Sequence, residues 1–261
     1  MKFKKSTIKP KNPKAKVQGS LGFKSGESHL NQTKTCPECG MTFYKLVKKD
    51  QEIHQQYHKT FVNGVTWQWN IDPKKILGEY TIQTATGLKK KNAKVKVISV
   101  DKQSDSQIRR VDDTLKMVNL ELNAPSGSDA WKTSKSSLVT PKAFIAVLDS
   151  HIIGICTTEA IEDPEKQSRW MILRTQTIVP KQCNRSAKLG VSRIWVAPLW
   201  RRYGIASRLL EIVLTNSVYG VKLTRSQVAF SQPSTNGGLL VQKFNGIVHK
   251  SGEMILPVYL E

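Results

Sequence analysis

The stretch that decides the fold is VSRIWVAPLWRRYGIASRLLEIVLT, residues 191–215. Val191, Ile194, Trp195 and Val196 are β-branched or aromatic and nearly continuous, which predicts a buried strand. Pro198 ends it, because proline cannot donate to a ladder. The basic turn Arg201-Arg202-Tyr203-Gly204 follows, and then Ile205, Leu209, Leu210 and Val213 repeat with helical period. Strand, glycine turn and helix gather unpaired backbone N–H groups and the positive end of a helix dipole at one point. With two arginines beside it, that point should bind phosphate.

The neighbouring segments fit around this unit. From Asp105 the period is helical, with Ile108, Val111, Leu115, Val118 and Leu122 on one face, and it ends before Pro125. A hairpin is predicted over residues 143–148 and 152–158, turned at Asp149-Ser150-His151, and another extended segment over 170–179. Beyond the central unit come a strand at 227–231, a short helix at 239–244 and a last hairpin, 246–249 with 254–259. Runs of antiparallel strands with inserted helices predict an α+β sheet. In that context Arg201-x-x-Gly204-x-Ala206 resembles the acyl-CoA pyrophosphate loop of the GNAT acetyltransferase superfamily, and the element order is that of the GNAT fold.

A second motif stands nearer the start. Cys36-Pro-Glu-Cys39 is followed after fourteen residues by His54-x3-His58. Two thiolates from a tight knuckle and two imidazoles one helical turn apart close a tetrahedron, so Cys36, Cys39, His54 and His58 are expected to hold one structural zinc. Phe43 and Ile53 are the expected small core beneath the metal. One finger reads only about 3 base pairs, so it is expected to dock or stabilise rather than to read sequence.

The net charge of +21 suits a chain that meets polyanions, chromatin among them, although a solvated basic surface would also produce it. Eight lysines fall within residues 1–30 against the single acid Glu27, so residues 1–33 are expected to be a disordered basic tail. A nuclear-localisation signal and a DNA-touching arm both fit that composition. Gln18-Gly19-Ser20-Leu21-Gly22-Phe23 weakly resembles a sliding-clamp interaction peptide, with Gln18 and Leu21 correctly spaced and the usual paired aromatics missing. No run approaches the ~18 consecutive apolar residues of a membrane span, and the four cysteines fit a reducing compartment better than a disulfide framework. A soluble intracellular protein is the expectation. The predicted organisation is tail 1–33, zinc finger 34–69, linker 70–104, in which Val95, Val97 and Ile98 with the alternation Lys94-Val95-Lys96-Val97 suggest the start of a strand, and acetyltransferase domain 105–261.

Longer motifs narrow the resemblance. The finger, Leu120-Glu-Leu-Asn-Ala-Pro125, Ser168-Arg-Trp170, Ser192-Arg-Ile-Trp-Val196, Ala229-Phe-Ser-Gln-Pro233 and the end from Asn245-Gly-Ile-Val-His-Lys250 to Leu256-Pro-Val-Tyr259 follow one another in register. Together they look like the cohesion-establishment acetyltransferases, the Eco/ESCO family, and most like a fungal member. The resemblance implies transfer of acetyl from acetyl-CoA to lysines on the ATPase head of a cohesin SMC subunit, in the nucleus, during DNA replication. A zinc-finger chromatin binder with an inactive acetyltransferase-like domain is the rival; loss of the loop arginines or Gly204 would favour it, and they are present.

The chemistry also follows from residues. Lysine has a reference pKa near 10.4, so its neutral, nucleophilic form costs about 4.6 kcal/mol at pH 7. Arg201, Arg202 and the N–H groups of the loop from Tyr203 and Gly204 through Ile205, Ala206 and Ser207 are expected to hold the pyrophosphate. Backbone groups of Ile194, Trp195 and Val196 are expected to pair with the pantetheine arm as an added strand would. Ser192 lies two residues before Ile194, on its face, and the resemblance assigns it a catalytic part. Animal members of the family carry an aspartate in an S-D-P motif, thought to act in lysine deprotonation. Here the motif is Ser231-Gln232-Pro233, with Ser231 and Pro233 assigned to the coenzyme. Glutamine accepts no proton, so Gln232 is left to orient the amine or a water. Glu211, on the helix after the loop, is the candidate base, with an exposed helix carboxylate as the plainer reading.

Overall fold

The computed structural model describes residues 33–86, 89–125, 131–132 and 139–260. The clamp-like stretch 18–23 and all of the basic tail but Thr33 lie outside them.

The described residues begin with a finger. β1 (Thr33–Thr35) and β2 (Thr42–Tyr44) form an antiparallel pair around the cysteine knuckle, and α1 (Lys48–Asn63) carries the two histidines. Gly64 then turns the chain into β3 (Val65–Thr66), which pairs with Ile152 and His151 of the main sheet. Gly64 has φ +110, and a Cβ there would stand 2.5 Å from the Ile152 carbonyl oxygen. Backbone on both sides leaves nothing to yield. Gly64→Ala is expected to lower stability by about 2–4 kcal/mol, combining a disfavoured φ with overpacking; denaturant melts check it.

Residues 70–104, expected as a linker, instead form the first hairpin of the sheet, β4 (Ile76–Thr86) and β5 (Lys89–Ser99). The reason is a half-buried face. Tyr80 lies opposite Val95 and Ile82 opposite Ala93, and Val95 and Val97 are fully buried. The lysines that made the segment look like a solvated connection sit on an edge hairpin, where charge discourages stray pairing.

α2 (Asp105–Leu122) has the predicted bounds and buries Val111, Leu115, Met117 and Val118. The hairpin β6 (Ala143–Leu148) and β7 (His151–Ala160) turns through Asp149 and Ser150, both at positive φ, the geometry that matches strand twist. After the single-turn α3 (Pro164–Gln167) come β8 (Ser168–Ile172) and the short β9 (Thr177–Ile178). The central unit is β10 (Leu189–Val196) and α4 (Ile205–Asn216). It is followed by β11 (Val228–Phe230), α5 (Thr235–Asn245) and the hairpin β12 (Ile247–Val248) with β13 (Met254–Tyr259).

The strands line up as β4-β5-β6-β7-β10-β11-β13-β8-β9. One face is covered by α4 and α5, whose Leu209, Leu210, Val213 and Val241 share a core with Val95, Val97 and Phe230. The other is covered by α2 and the finger: Cys36, Cys39 and Phe61 lie in one apolar cluster with Val111, Val118, Ile145 and Trp195. The finger thus shares the core of the main sheet rather than standing as a separate unit behind a linker. Among the described residues no helix is long and apolar enough to cross a membrane.

Candidate active site

The site exists because the sheet splits. β10 and β11 are parallel and paired only over Leu189, Gly190 and Val191, opposite Val228, Ala229 and Phe230, with Ser231 N–H closing the ladder on Val191 O at 3.0 Å. Beyond that, β10 runs on to Val196 beside β7 alone. Its other edge is open.

Alternation decides what that edge offers. Ala197 N–H donates to Ile153 O at 2.9 Å, so along this antiparallel ladder the peptide groups of Trp195 face β7 and those of Ile194 and Val196 face outward. The Val196 carbonyl is engaged from that side by Arg201 Nε at 2.9 Å. The expectation that Trp195 offers its backbone to a coenzyme is therefore corrected, because its peptide belongs to the sheet. Its indole is buried in the core and donates to a Glu121 carboxylate oxygen.

Two cavities flank the open edge. One, about 640 Å³, runs from Ile194, Trp195 and Val196 past Arg201, Arg202, Gly204, Ile205, Ala206 and Ser207, with Leu239, Leu240 and Lys243 of α5 as its far wall. Gly204 is in the left-handed conformation at φ +78 with nothing within 4 Å of a would-be Cβ, and it starts α4 without a side-chain cap. The first-turn N–H groups of α4 have no helical acceptors and open toward this cavity, an anion site in geometry and dipole. Arg202, also at positive φ, is exposed beside it. Tyr203 is half-exposed and packs on Trp200, with ring centroids 6.4 Å apart. Arg201 is no free cation: it donates to Glu121 at 2.6 Å. Glu121 thus ties α2 to both β10 and the loop. Its place within the Leu120–Pro125 motif was the only sign of it in the sequence.

The second cavity, about 500 Å³, is lined by Ser192, Arg193, Gln232 and Gln176, among others. Ser231 and Pro233, expected on the coenzyme side, line this one instead, in the segment that follows the end of β11 at Phe230. Ser231 Oγ donates to Ser192 O at 2.6 Å. The register of β10 on β7 slips between Val191 and Arg193, so Ser192 is the extra residue of a bulge. The bulge breaks the alternation on which its facing was inferred, yet Ser192 and Ile194 line the same cavity. Leu122, Ile194, Ser234 and Gly237 border both cavities, which meet there.

Glu211 borders neither cavity. Its carboxylate accepts from Arg225 at 2.6 Å on the exposed side of α4, so its candidacy as base is withdrawn. Glu211→Gln is expected to leave acetyl-transfer turnover within about twofold of wild type, because a half-exposed pair contributes little; a turnover assay at saturating donor checks it.

The four metal donors are together. One ligand atom from each of Cys36, Cys39, His54 and His58 lies within 4.8 Å of the others. His54 Nε2 is buried with no hydrogen-bond partner among the described residues, as a metal-bound nitrogen would be. His58 has Nδ1 3.4 Å from Cys36 Sγ and Nε2 3.5 Å from a Glu38 carboxylate oxygen, the outer partner that fixes a ligand's tautomer. Backbone N–H groups of Cys39 and Glu38 hold the Cys36 thiol down at about 6, favouring the thiolate a metal needs. Two sulfurs and two nitrogens in a closed set suit one structural zinc. Phe43 stacks on His54 at 4.1 Å, whereas Ile53, expected beneath the metal, is 46% exposed.

Comparison with known proteins adds identity to this geometry. A family model described as ESCO1/2 acetyl-transferase matches residues 185–250, and one described as the zinc-finger of acetyl-transferase ESCO matches residues 21–60. The chain is 49% identical over 263 residues to N-acetyltransferase ECO1 of Debaryomyces hansenii, spanning 97% of this chain and 91% of that protein. It is 30% identical over 285 residues to N-acetyltransferase ECO1 of Saccharomyces cerevisiae, spanning all of both. A solved xEco2 acetyltransferase domain bound to a K105-CoA conjugate superposes with a TM-score of 0.48 at 21% identity, over 65% of this chain and 92% of that one.

Proposed function

The chain belongs to the ECO1/ESCO N-acetyltransferases, and on that premise we propose that it moves acetyl from acetyl-CoA to lysines on the ATPase head of a cohesin SMC subunit, in the nucleus, during replication. The observation that carries the reading is the meeting of two cavities at Ile194 on the open edge of β10.

Each cavity then has a part. The donor's pyrophosphate sits on the α4 N-terminus beside Arg202, with Lys243 facing it across the cleft. Its amide arm runs along the outward peptide groups of Ile194 and Val196, which delivers the thioester to Ile194. The acceptor lysine enters through the second cavity, past Gln232. No carboxylate among the described residues lines that cavity. Water reaching it from the open side takes up the amine proton, and Gln232 orients the amine without accepting one. Displacement of the coenzyme thiolate by the lysine nitrogen forms the amide.

The test is mass spectrometry of a purified cohesin SMC head incubated with the chain and acetyl-CoA, beside a histone-tail peptide. Acetyl-lysine on the head and little on the histone peptide is the expected outcome. Equal labelling of both would contradict the assigned substrate while leaving acetyl transfer intact.

A further inference from the structure

We propose that Thr157 is a positioning residue that turns Ser192 into a hydrogen-bond acceptor aimed at the attacking amine. The inference rests on the acetyl-transfer reading and deepens it. Ser192 Oγ lies 2.8 Å from Thr157 Oγ1 and 3.3 Å from the Thr157 carbonyl oxygen, on the neighbouring strand β7. Ser192 is 2% exposed and Thr157 1%. Water therefore does not satisfy either hydroxyl from the strand side.

Two hydroxyls carry two protons, and they must be shared out. In one arrangement Ser192 donates to Thr157 Oγ1; the Thr157 proton then has no acceptor among the described residues, a buried unpaired donor. In the other, Thr157 donates to Ser192 Oγ and Ser192 donates to the Thr157 carbonyl. Both protons are then placed within the protein. The second arrangement wins, because a buried donor left unmade costs more than a slightly long bond to a carbonyl.

The consequence falls on Ser192. Its one proton is committed to Thr157 O and one lone pair to Thr157 O–H, which leaves one lone pair and no proton for the cavity. Facing the acceptor side from its bulge, it accepts an N–H of the incoming lysine and points the nitrogen lone pair away, toward the thioester at Ile194. No proton moves to Ser192. The hydrogen bond strengthens as the nitrogen gains positive charge in the tetrahedral adduct, so it acts on turnover more than on donor binding.

The test is steady-state acetyl transfer from acetyl-CoA to the SMC head by the full chain, at a temperature below the melting of every variant. Thr157→Val removes the hydroxyl at nearly constant volume. It is expected to lower kcat about five- to tenfold with the acetyl-CoA KM unchanged within about twofold, the scale of one net hydrogen bond. Thr157→Ser restores the donor and is expected to recover kcat to within about twofold. Ser192→Ala lowers kcat likewise, and adding Thr157→Val to it costs nothing further, because Thr157 acts through Ser192. Wild-type kcat in Thr157→Val, or losses that multiply in the double variant, would overturn the proposal. A wild-type chain that binds acetyl-CoA yet labels no acceptor would overturn the acetyl-transfer reading, and this inference with it.

Discussion

Stripping the metal from Cys36, Cys39, His54 and His58 is expected to lower the melting of the whole folded unit, in one transition, and to weaken acetyl-CoA binding. A zinc finger's folding free energy is largely metal binding, about 10–16 kcal/mol in isolated finger peptides. That is as large as the roughly 5–15 kcal/mol that holds a whole typical domain together, so the finger does not hold its shape without it. What the finger holds matters as much. Phe61 on α1 packs against Trp195 with ring centroids 6.3 Å apart, and Trp200 Nε1 donates to Asn63 O at 2.9 Å. Both tryptophans flank the phosphate loop. Losing the buried Phe61 side chain and that hydrogen bond removes about 3–4 kcal/mol, or roughly 6–16 °C of melting temperature at this size. Calorimetric melts with and without chelator check it. Two transitions, the upper one unshifted, would show the finger to be energetically separate from the sheet.

The second large effect is at Gly204. Gly204→Asp places a carboxylate where the α4 N–H groups point, and since nothing lies within 4 Å of the new Cβ, the fold has room for it. The left-handed φ of +78 costs an aspartate about 1 kcal/mol. The carboxylate then competes for the helix dipole and repels the pyrophosphate, and acetyl-CoA affinity is expected to fall by about 100-fold or more. Gly204→Asn separates the causes, because it carries the same backbone strain without the charge. Titration calorimetry should show the asparagine variant losing about tenfold or less. Equal losses in the two variants would mean that strain, not anion binding, sets the glycine.

What was legible in the sequence was local. The run from Val191 to Val196, the helix from Ile205 and the spacing of Cys36, Cys39, His54 and His58 each carry their structure within one period or one turn. What was not legible depended on residues far apart in the chain. The β4–β5 hairpin reads as a basic linker because its buried face, Leu77, Tyr80, Ile82, Ala93, Val95 and Val97, is interleaved with lysines and threonines, and the α4 it meets lies over a hundred residues on. Glu211 reads as a free helix carboxylate until Arg225 is folded back onto it. Glu121 reaches Trp195 and Arg201 across more than seventy positions. The bulge at Ser192 leaves no mark in the sequence at all, since an extra residue shows only as a slip against β7. The docking of the finger rests on Phe61 and Trp200, two aromatics with no periodic relation.

The meeting of the two cavities at Ile194 is tested most directly by a ligand that spans them: a short lysine peptide joined through its Nζ and an acetyl bridge to the sulfur of CoA. Calorimetry on the full chain would compare this conjugate with CoA alone and with the free peptide. If donor and acceptor meet across the open edge of β10, joining them makes the second contact intramolecular, and the conjugate should bind at least about 100-fold more tightly than CoA. Gln232→Trp, on the lining of the second cavity and not of the first, should erase most of that gain while leaving CoA affinity nearly unchanged. A conjugate that binds no better than CoA, with the peptide portion contributing nothing, would contradict the assignment of the second cavity to the acceptor lysine.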